Sequence, residues 1–211
     1  MAKIKEEPKF KETLWEWRAF VPIIEPDFRQ NILNLPKMHG KPIIVNDRYI
    51  FRIGSNRNIK IRGQDLRIKR IVKLSKKRIG LWTTEAYSFP ISAYLFNYMT
   101  NTLNVSLPKR EAKDGAQLVS ILSHATPLIR IVRVVKHREL RRWPPKDPEG
   151  VIVELAEIIV PEKVTSVGIE HHDLKRVNEA VERLRLPGPS MKVIYYNDCI
   201  KVWAEGSRLF E

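Results

Sequence analysis

Apolar and polar positions along the chain alternate mostly with period two. Residues 58–69 read Asn-Ile-Lys-Ile-Arg-Gly-Gln-Asp-Leu-Arg-Ile-Lys, apolar alternating with cationic on both sides of Gly63-Gln64, the signature of a β-hairpin with a two-residue loop. Successive strand side chains point to opposite faces. Pairing Arg62 with Asp65 therefore sets Lys60 opposite Arg67, Asn58 opposite Lys69, Ile61 opposite Leu66 and Ile59 opposite Ile68. One face is apolar and the other gathers Lys60, Arg62, Arg67 and Lys69. Like charges directly across a strand pair are destabilising, so this face needs either open water or a bound polyanion.

The same alternation predicts strands over 14–20, 43–45, 48–53, 81–89, 128–138, 151–160 and 165–170, with final strands at 191–196 and 200–203. Helical spacing appears near 27–34 and over 91–103, where Ile91, Leu95, Tyr98, Met99 and Thr102 share a face and Pro90 falls in a first turn. Asp114 can cap a helix carrying Leu118, Ile121 and Leu122, and Asp173 opens one carrying Leu174, Val177, Val181 and Leu184, stopped by Pro187-Gly188-Pro189. Short connections suit antiparallel pairing. No internal repeat interrupts the pattern. The reading is one domain over residues 1–211, with a loose, charged segment at 1–11.

Composition narrows the partners. The chain has 211 residues, 43% of them hydrophobic, enough for a buried core, and its 38 Lys and Arg against 24 Asp and Glu give a net charge of +14. That balance points to an anionic partner, or simply to a basic surface. A single cysteine, Cys199, excludes an internal disulfide and an all-thiolate metal site. No apolar run approaches the roughly 20 residues of a membrane span, so a cytoplasmic location is expected.

In several strands charged side chains of both signs occupy one parity and Ile, Val, Leu or Trp the other, which a barrel with a wet, charged lumen would explain. The cations of that pattern are Arg18, Arg48, Arg52, Lys60, Arg62, Arg67, Lys69, Arg130, Lys136 and Arg138, although Arg48 and Arg52 share a parity with Ile50. They either neutralise a chain of phosphates or face solvent. Hard divalent cations prefer oxygen ligands, which makes Glu16, Glu85, Glu154, Glu157 and Glu170 candidate ligands or ion-pair partners. His171 and His172 stand side by side at the start of the last amphipathic helix, where adjacent residues diverge, and read as exposed capping residues. Trp15 and Trp17 lie opposite in parity to Glu16 and read as outer-wall packing, with base stacking the alternative. There is no Walker-type loop and no Gly-x-Ser-x-Gly elbow.

Taken together, Leu-Trp-Glu-Trp-Arg at 14–18, Asp-Arg-Tyr-Ile-Phe-Arg at 47–52, the Lys-Ile-Arg and Arg-Ile-Lys pair, Val-Glu-Leu-Ala-Glu-Ile at 153–158 and Ser-Val-Gly-Ile-Glu before Asp173 resemble the CYTH superfamily of triphosphate tunnel metalloenzymes. The resemblance covers most of the chain. It implies an α+β fold, an antiparallel eight-stranded tunnel-like β-barrel with flanking helices, that grips a triphosphate beside Mg²⁺ or Mn²⁺. Carried over by position, Arg18, Lys60, Arg62, Arg67, Lys69, Lys136 and Arg138 would bind phosphate, and Glu16, Glu154 and Glu170 would be the catalytic and metal-binding carboxylates. The family signature Glu-x-Glu-x-Lys reads Leu14, Glu16, Arg18 here, so its first carboxylate is missing. Glu12 or Glu157 could take its role.

The expected function is metal-dependent hydrolysis of a triphosphate-containing substrate, inorganic, nucleoside or thiamine triphosphate. The alternatives are a noncatalytic nucleotide- or polyphosphate-binding module and a nucleic-acid-binding protein.

Overall fold

The computed structural model describes residues 6–54, 57–188 and 190–210. Residues 1–5 of the N-terminal segment, and Pro189 of the helix-stopping Pro-Gly-Pro, lie outside the described residues. Eight antiparallel strands close into a barrel: β1 (Phe10–Val21), β2 (Ile43–Arg52), β3 (Asn58–Arg62), β4 (Asp65–Leu74), β5 (Gly80–Ser88), β6 (Ile129–Trp143), β7 (Val151–Val160) and β8 (Val164–His171). Their order around the wall is β1-β5-β4-β3-β2-β6-β7-β8, closed by β8 pairing with β1. The long β1 makes closure possible, because its first half pairs with β5 and its second half with β8. It starts at Phe10, so residues 10 and 11 of the segment expected to be loose already belong to the sheet.

The hairpin has the register its alternation predicts, from Asn58 opposite Lys69 to Arg62 opposite Asp65. Gly63 supplies the positive φ of 57° that the tight turn requires at its first central position. The apolar face of this ribbon, Ile59, Ile61, Leu66 and Ile68, is fully buried against Leu95, Phe96 and Met99 of α2 (Ala93–Thr102) and Leu118 and Leu122 of α3 (Gly115–Ala125). Burying each such side chain stabilises by about 1.5–3 kcal/mol. Pro90 falls outside α2, which begins instead at a Ser92 cap whose hydroxyl accepts the Leu95 N–H at 3.2 Å.

A second outer layer covers β1, β7 and β8. Trp17 and Ala19 pack there with Val153, Leu155, Val167 and Ile169 against Ile32 of α1 (Pro26–Leu33) and Val177 and Ala180 of α4 (Leu174–Arg183), with Trp15 beside them. The two tryptophans are thus wall packing. Asp173 caps α4, its carboxylate accepting the Lys175 N–H at 2.8 Å.

The C-terminal segment departs from expectation. Only Lys192–Val193 is strand (β9), appended to β1, and Tyr196–Ala204 is a helix, α5. Tyr196, Cys199, Ile200 and Trp203 recur with helical spacing and are all buried. The Asp198 carboxylate accepts the Tyr195 N–H at 3.2 Å, a helix-start bond that strand propensity does not register. This apolar face does not cover the wall. It joins the inward side chains Phe20, Tyr49, Phe51, Val132, Val134, Ile158 and Val164, so one end of the lumen is apolar and filled by α5.

Candidate functional site

The other end of the lumen is charged. Strand parity sends Glu12, Glu16 and Arg18 of β1, Asp47 and Tyr49 of β2, Asn58, Lys60 and Arg62 of β3, Arg67 and Lys69 of β4, Lys136 and Arg138 of β6, Glu154 of β7 and Glu170 of β8 inward. All of these except Asp47 line one cavity of about 210 Å³, with Tyr196 of α5 among its walls. The structure therefore brings together every phosphate-binding and carboxylate candidate carried over from the resemblance: Arg18, Lys60, Arg62, Arg67, Lys69, Lys136, Arg138, Glu16, Glu154 and Glu170.

Other charged candidates lie elsewhere. Arg48 and Arg52 alternate with the inward Tyr49 and Phe51 and take the outer face, while Arg130 is exposed and bonds the Pro127 carbonyl. Glu85 sits on the outer face, bonded by Tyr98 at 2.9 Å and Arg70 at 3.0 Å, and Glu157 is an exposed partner of Arg29 at 2.8 Å. His171 is not an exposed cap. It ends β8 buried, its Nδ1 accepting the Asp173 N–H at 3.0 Å, which leaves Nε2 to donate to the Glu149 carbonyl at 2.9 Å.

Arg18 is the centre of the network. Its Nε donates to Glu16 at 2.6 Å, Nη1 to Glu154 at 2.9 Å and to the Ser166 hydroxyl at 3.3 Å, and Nη2 to Glu170 at 3.2 Å. Its guanidinium lies 4.9 Å from the Tyr196 ring centroid. On its other side is Gly168, where a Cβ would stand 2.6 Å from Nη2. A glycine here is thus a packing requirement imposed by the arginine.

The remaining cations are tied to carboxylates as well. Lys69 bonds Glu16; Arg138 Nε bonds Glu154 at 2.6 Å; Lys136 lies 3.4 Å from Glu154 and donates to the Tyr196 hydroxyl at 2.8 Å. Asp47, fully buried, takes a two-pronged bond from Arg62 at 2.7 and 2.6 Å and lies 3.4 Å from Lys60. Sequence reading gave Asp47 no role, although its position opposite Arg62 on neighbouring strands was a usable signal.

These contacts set the protonation states. Burial alone would raise the Glu16 carboxyl, but Lys69 and Arg18 beside it bring it down to about 2. Glu154, buried, is likewise held well below the usual carboxylate range by Arg138, Lys136 and Arg18. Burial lowers the Lys136 ammonium to about 8, with Glu154 offsetting part of the effect, and burial together with Arg62 lowers Lys60 well below the ordinary lysine value. Glu12 moves the other way, pushed up by burial and by Glu170. Two buried N–H donors lining the cavity, Arg67 Nε and Trp82 Nε1, have no acceptor among the described residues. Desolvated donors without partners are costly, and a polyanion in the cavity would supply acceptors.

No protein-family model matches the chain, and no curated protein matches it. Solved structures do. A conserved hypothetical protein from Pyrococcus furiosus superposes with a TM-score of 0.50 at 14% identity, covering 87% of this chain and 98% of that one. The PH1012 protein from Pyrococcus horikoshii gives 0.50 at 13% identity with the same coverages. The Hippeastrum protein HpAC1, described as having a dominant triphosphatase activity, superposes at 0.48 with 14% identity over 94% of this chain and 98% of that one. At such identities the likeness is one of fold. The fold is a closed eight-stranded antiparallel barrel with flanking helices. Among the described residues, no helix is long and apolar enough to cross a membrane.

Proposed function

We propose that the charged half of the lumen binds the phosphate chain of a triphosphate and that the chain is a metal-dependent phosphohydrolase acting on it. The observation that carries this reading is the convergence of Lys60, Arg62, Arg67, Lys69, Lys136 and Arg138, from three strands, on one cavity. Six cations around so small a space repel one another unless anions intervene, and the carboxylates present only partly fill that need.

Size sharpens the substrate class. About 210 Å³ is below the roughly 300–1,000 Å³ of sites that enclose whole drug-sized ligands. A phosphate chain fits such a space, and the organic part of a nucleoside or thiamine triphosphate would lie outside it.

The donor set bears on where a divalent metal would sit. Both Glu16 oxygens and both Glu154 oxygens are already engaged by Arg18, Lys69, Lys136 and Arg138, so these two carboxylates do not suit it. Glu12 and Glu170 fit better. Both line the cavity, Glu170 has one oxygen on Arg18, and mutual repulsion contributes to the raised Glu12 carboxyl. One or two carboxylates completed by substrate phosphate oxygens and water are a common Mg²⁺ arrangement. When bound there, Mg²⁺ or Mn²⁺ would polarise the terminal phosphoryl group and lower the pKa of an attacking water. The cations of β3, β4 and β6 would hold the chain in line and neutralise charge spread over the phosphate oxygens.

The test is phosphate release from tripolyphosphate, ATP and thiamine triphosphate by the pure protein with Mg²⁺ or Mn²⁺, beside Glu12→Gln and Glu170→Gln. Release abolished by either substitution supports the reading. Leu14, on the strand face of Glu16 where the family has a carboxylate, favours a second reading, a noncatalytic polyphosphate sensor. Calorimetry showing tight binding without any turnover would select it.

A further inference from the structure

The three carboxylates marked as metal ligands by resemblance do meet, and they meet around a guanidinium. Glu16, Glu154 and Glu170 each accept a hydrogen bond from a different nitrogen of Arg18, at 2.6, 2.9 and 3.2 Å. A cluster of buried carboxylates requires a counter-charge with several directed contacts. A divalent ion supplies one, and so does the planar five-donor fork of arginine. Here Arg18 is fixed in place: it is 3% exposed, bounded by Gly168 on one side and the Tyr196 ring on the other. Lys69 completes Glu16, and Lys136 and Arg138 complete Glu154, so an added divalent ion at either carboxylate would stand against two or more fixed positive charges.

We infer that Arg18 is a built-in counter-ion that does the organising work of a divalent cation in this lumen, so that the chain binds its phosphate guest without metal. The inference rests on the triphosphate reading above and divides its parts: the cation network alone suffices for affinity, and metal at Glu12 and Glu170 bears on turnover only. The charge is permanent. A guanidinium keeps its proton at any accessible pH.

Isothermal calorimetry of tripolyphosphate into the intact protein, once in EDTA and once in Mg²⁺, tests the inference. Binding in EDTA within about tenfold of that in Mg²⁺ is expected, a tenfold loss being what one favourable contact is worth. Binding that appears only with Mg²⁺ overturns the inference and leaves the triphosphate reading standing. Binding in neither buffer overturns both. A melting series in Mn²⁺ without phosphate gives an independent readout: the wild type should not shift, since Arg18 already fills the space among its carboxylates and a site at Glu12 and Glu170 needs substrate phosphate oxygens to complete it, whereas Arg18→Met, if it folds, should be raised by the metal. A clear Mn²⁺-dependent rise in the wild type, abolished in Glu16→Gln, would place the metal among these carboxylates and refute the proposal. That comparison holds even if Arg18→Met does not fold.

Discussion

Gly168→Ala tests the centre of the site with a single methyl group. The new Cβ would lie 2.6 Å from Nη2, 2.8 Å from Cζ and 3.0 Å from Nη1 of Arg18. Relief by a small shift is blocked, because the guanidinium is held by Glu16, Glu154, Ser166 and Glu170 and faces the Tyr196 ring. The arginine must leave its bonds, and breaking a buried ion pair costs about 3–5 kcal/mol. For a domain of this size each kcal/mol is worth about 2–4 °C in Tm, so a fall of about 6–20 °C is expected. Tripolyphosphate affinity should fall as well, since carboxylates released from Arg18 would compete for the cations that hold the guest. Thermal melting and calorimetry read both effects. Gly40→Ala is the control, because a Cβ there meets nothing within 4 Å. Equal melting temperatures for the two variants would refute the claim that Gly168 exists to seat Arg18.

Three further outcomes are expected. Lys60→Met removes a desolvated cation while Asp47 keeps its two-pronged bond from Arg62, so urea unfolding should show stability unchanged or raised by about 1 kcal/mol while calorimetry shows tripolyphosphate affinity at least tenfold weaker. Lys136, lowered by burial to about 8, loses its charge as pH rises through that value, so at pH 9 the wild type should bind about tenfold more weakly relative to Lys136→Arg, which keeps the charge, than at pH 7. The same depression fixes a stability trend. Between pH 8 and 10.5 the unfolded chain binds more protons at Lys136 than the folded one, so over that window the wild type should gain stability with rising pH relative to Lys136→Met, measured by urea unfolding at several pH values.

The barrel was legible where period two was strict. The ribbon at 58–69 carried its register in its own residues, because a Gly-Gln turn allowed only one pairing that kept every Ile and Leu on one face. The role of Trp15 and Trp17 followed from parity alone. What local sequence could not show was which long-range partners close the network: Arg18 reaches Glu154, Ser166 and Glu170 across 136, 148 and 152 residues. Position alone placed it among the phosphate ligands, and only these distant bonds motivate the counter-ion proposal. The helix α5 was misread for a different reason. Tyr, Cys, Ile, Val and Trp favour strands by propensity, and only the spacing of Tyr196, Cys199, Ile200 and Trp203 with the Asp198 bond reveals the helix.

Filling one end of the lumen with α5 has a consequence for how a guest is gripped. The deepest cations, Arg18 and Lys136, are 3% exposed at the side chain and bonded to buried carboxylates, so they are neutralised before any guest arrives. Where exposure rises the ties loosen: Arg67 is 29% exposed, its carboxylate partner oxygen is 3.8 Å away on Asp65, and its Nε has no acceptor among the described residues. If the proposed polyanion enters, it would meet weakly committed donors first and strongly committed ones last, which would grade the exchange of carboxylate for phosphate along the axis. Such a gradient would favour a short chain of phosphates over a single one, because a chain can engage both Arg67 of β4 and the ammonium of Lys136 at once. Orthophosphate should therefore compete poorly with tripolyphosphate, and the discrimination should shrink most when Arg67, the outermost grip, is removed.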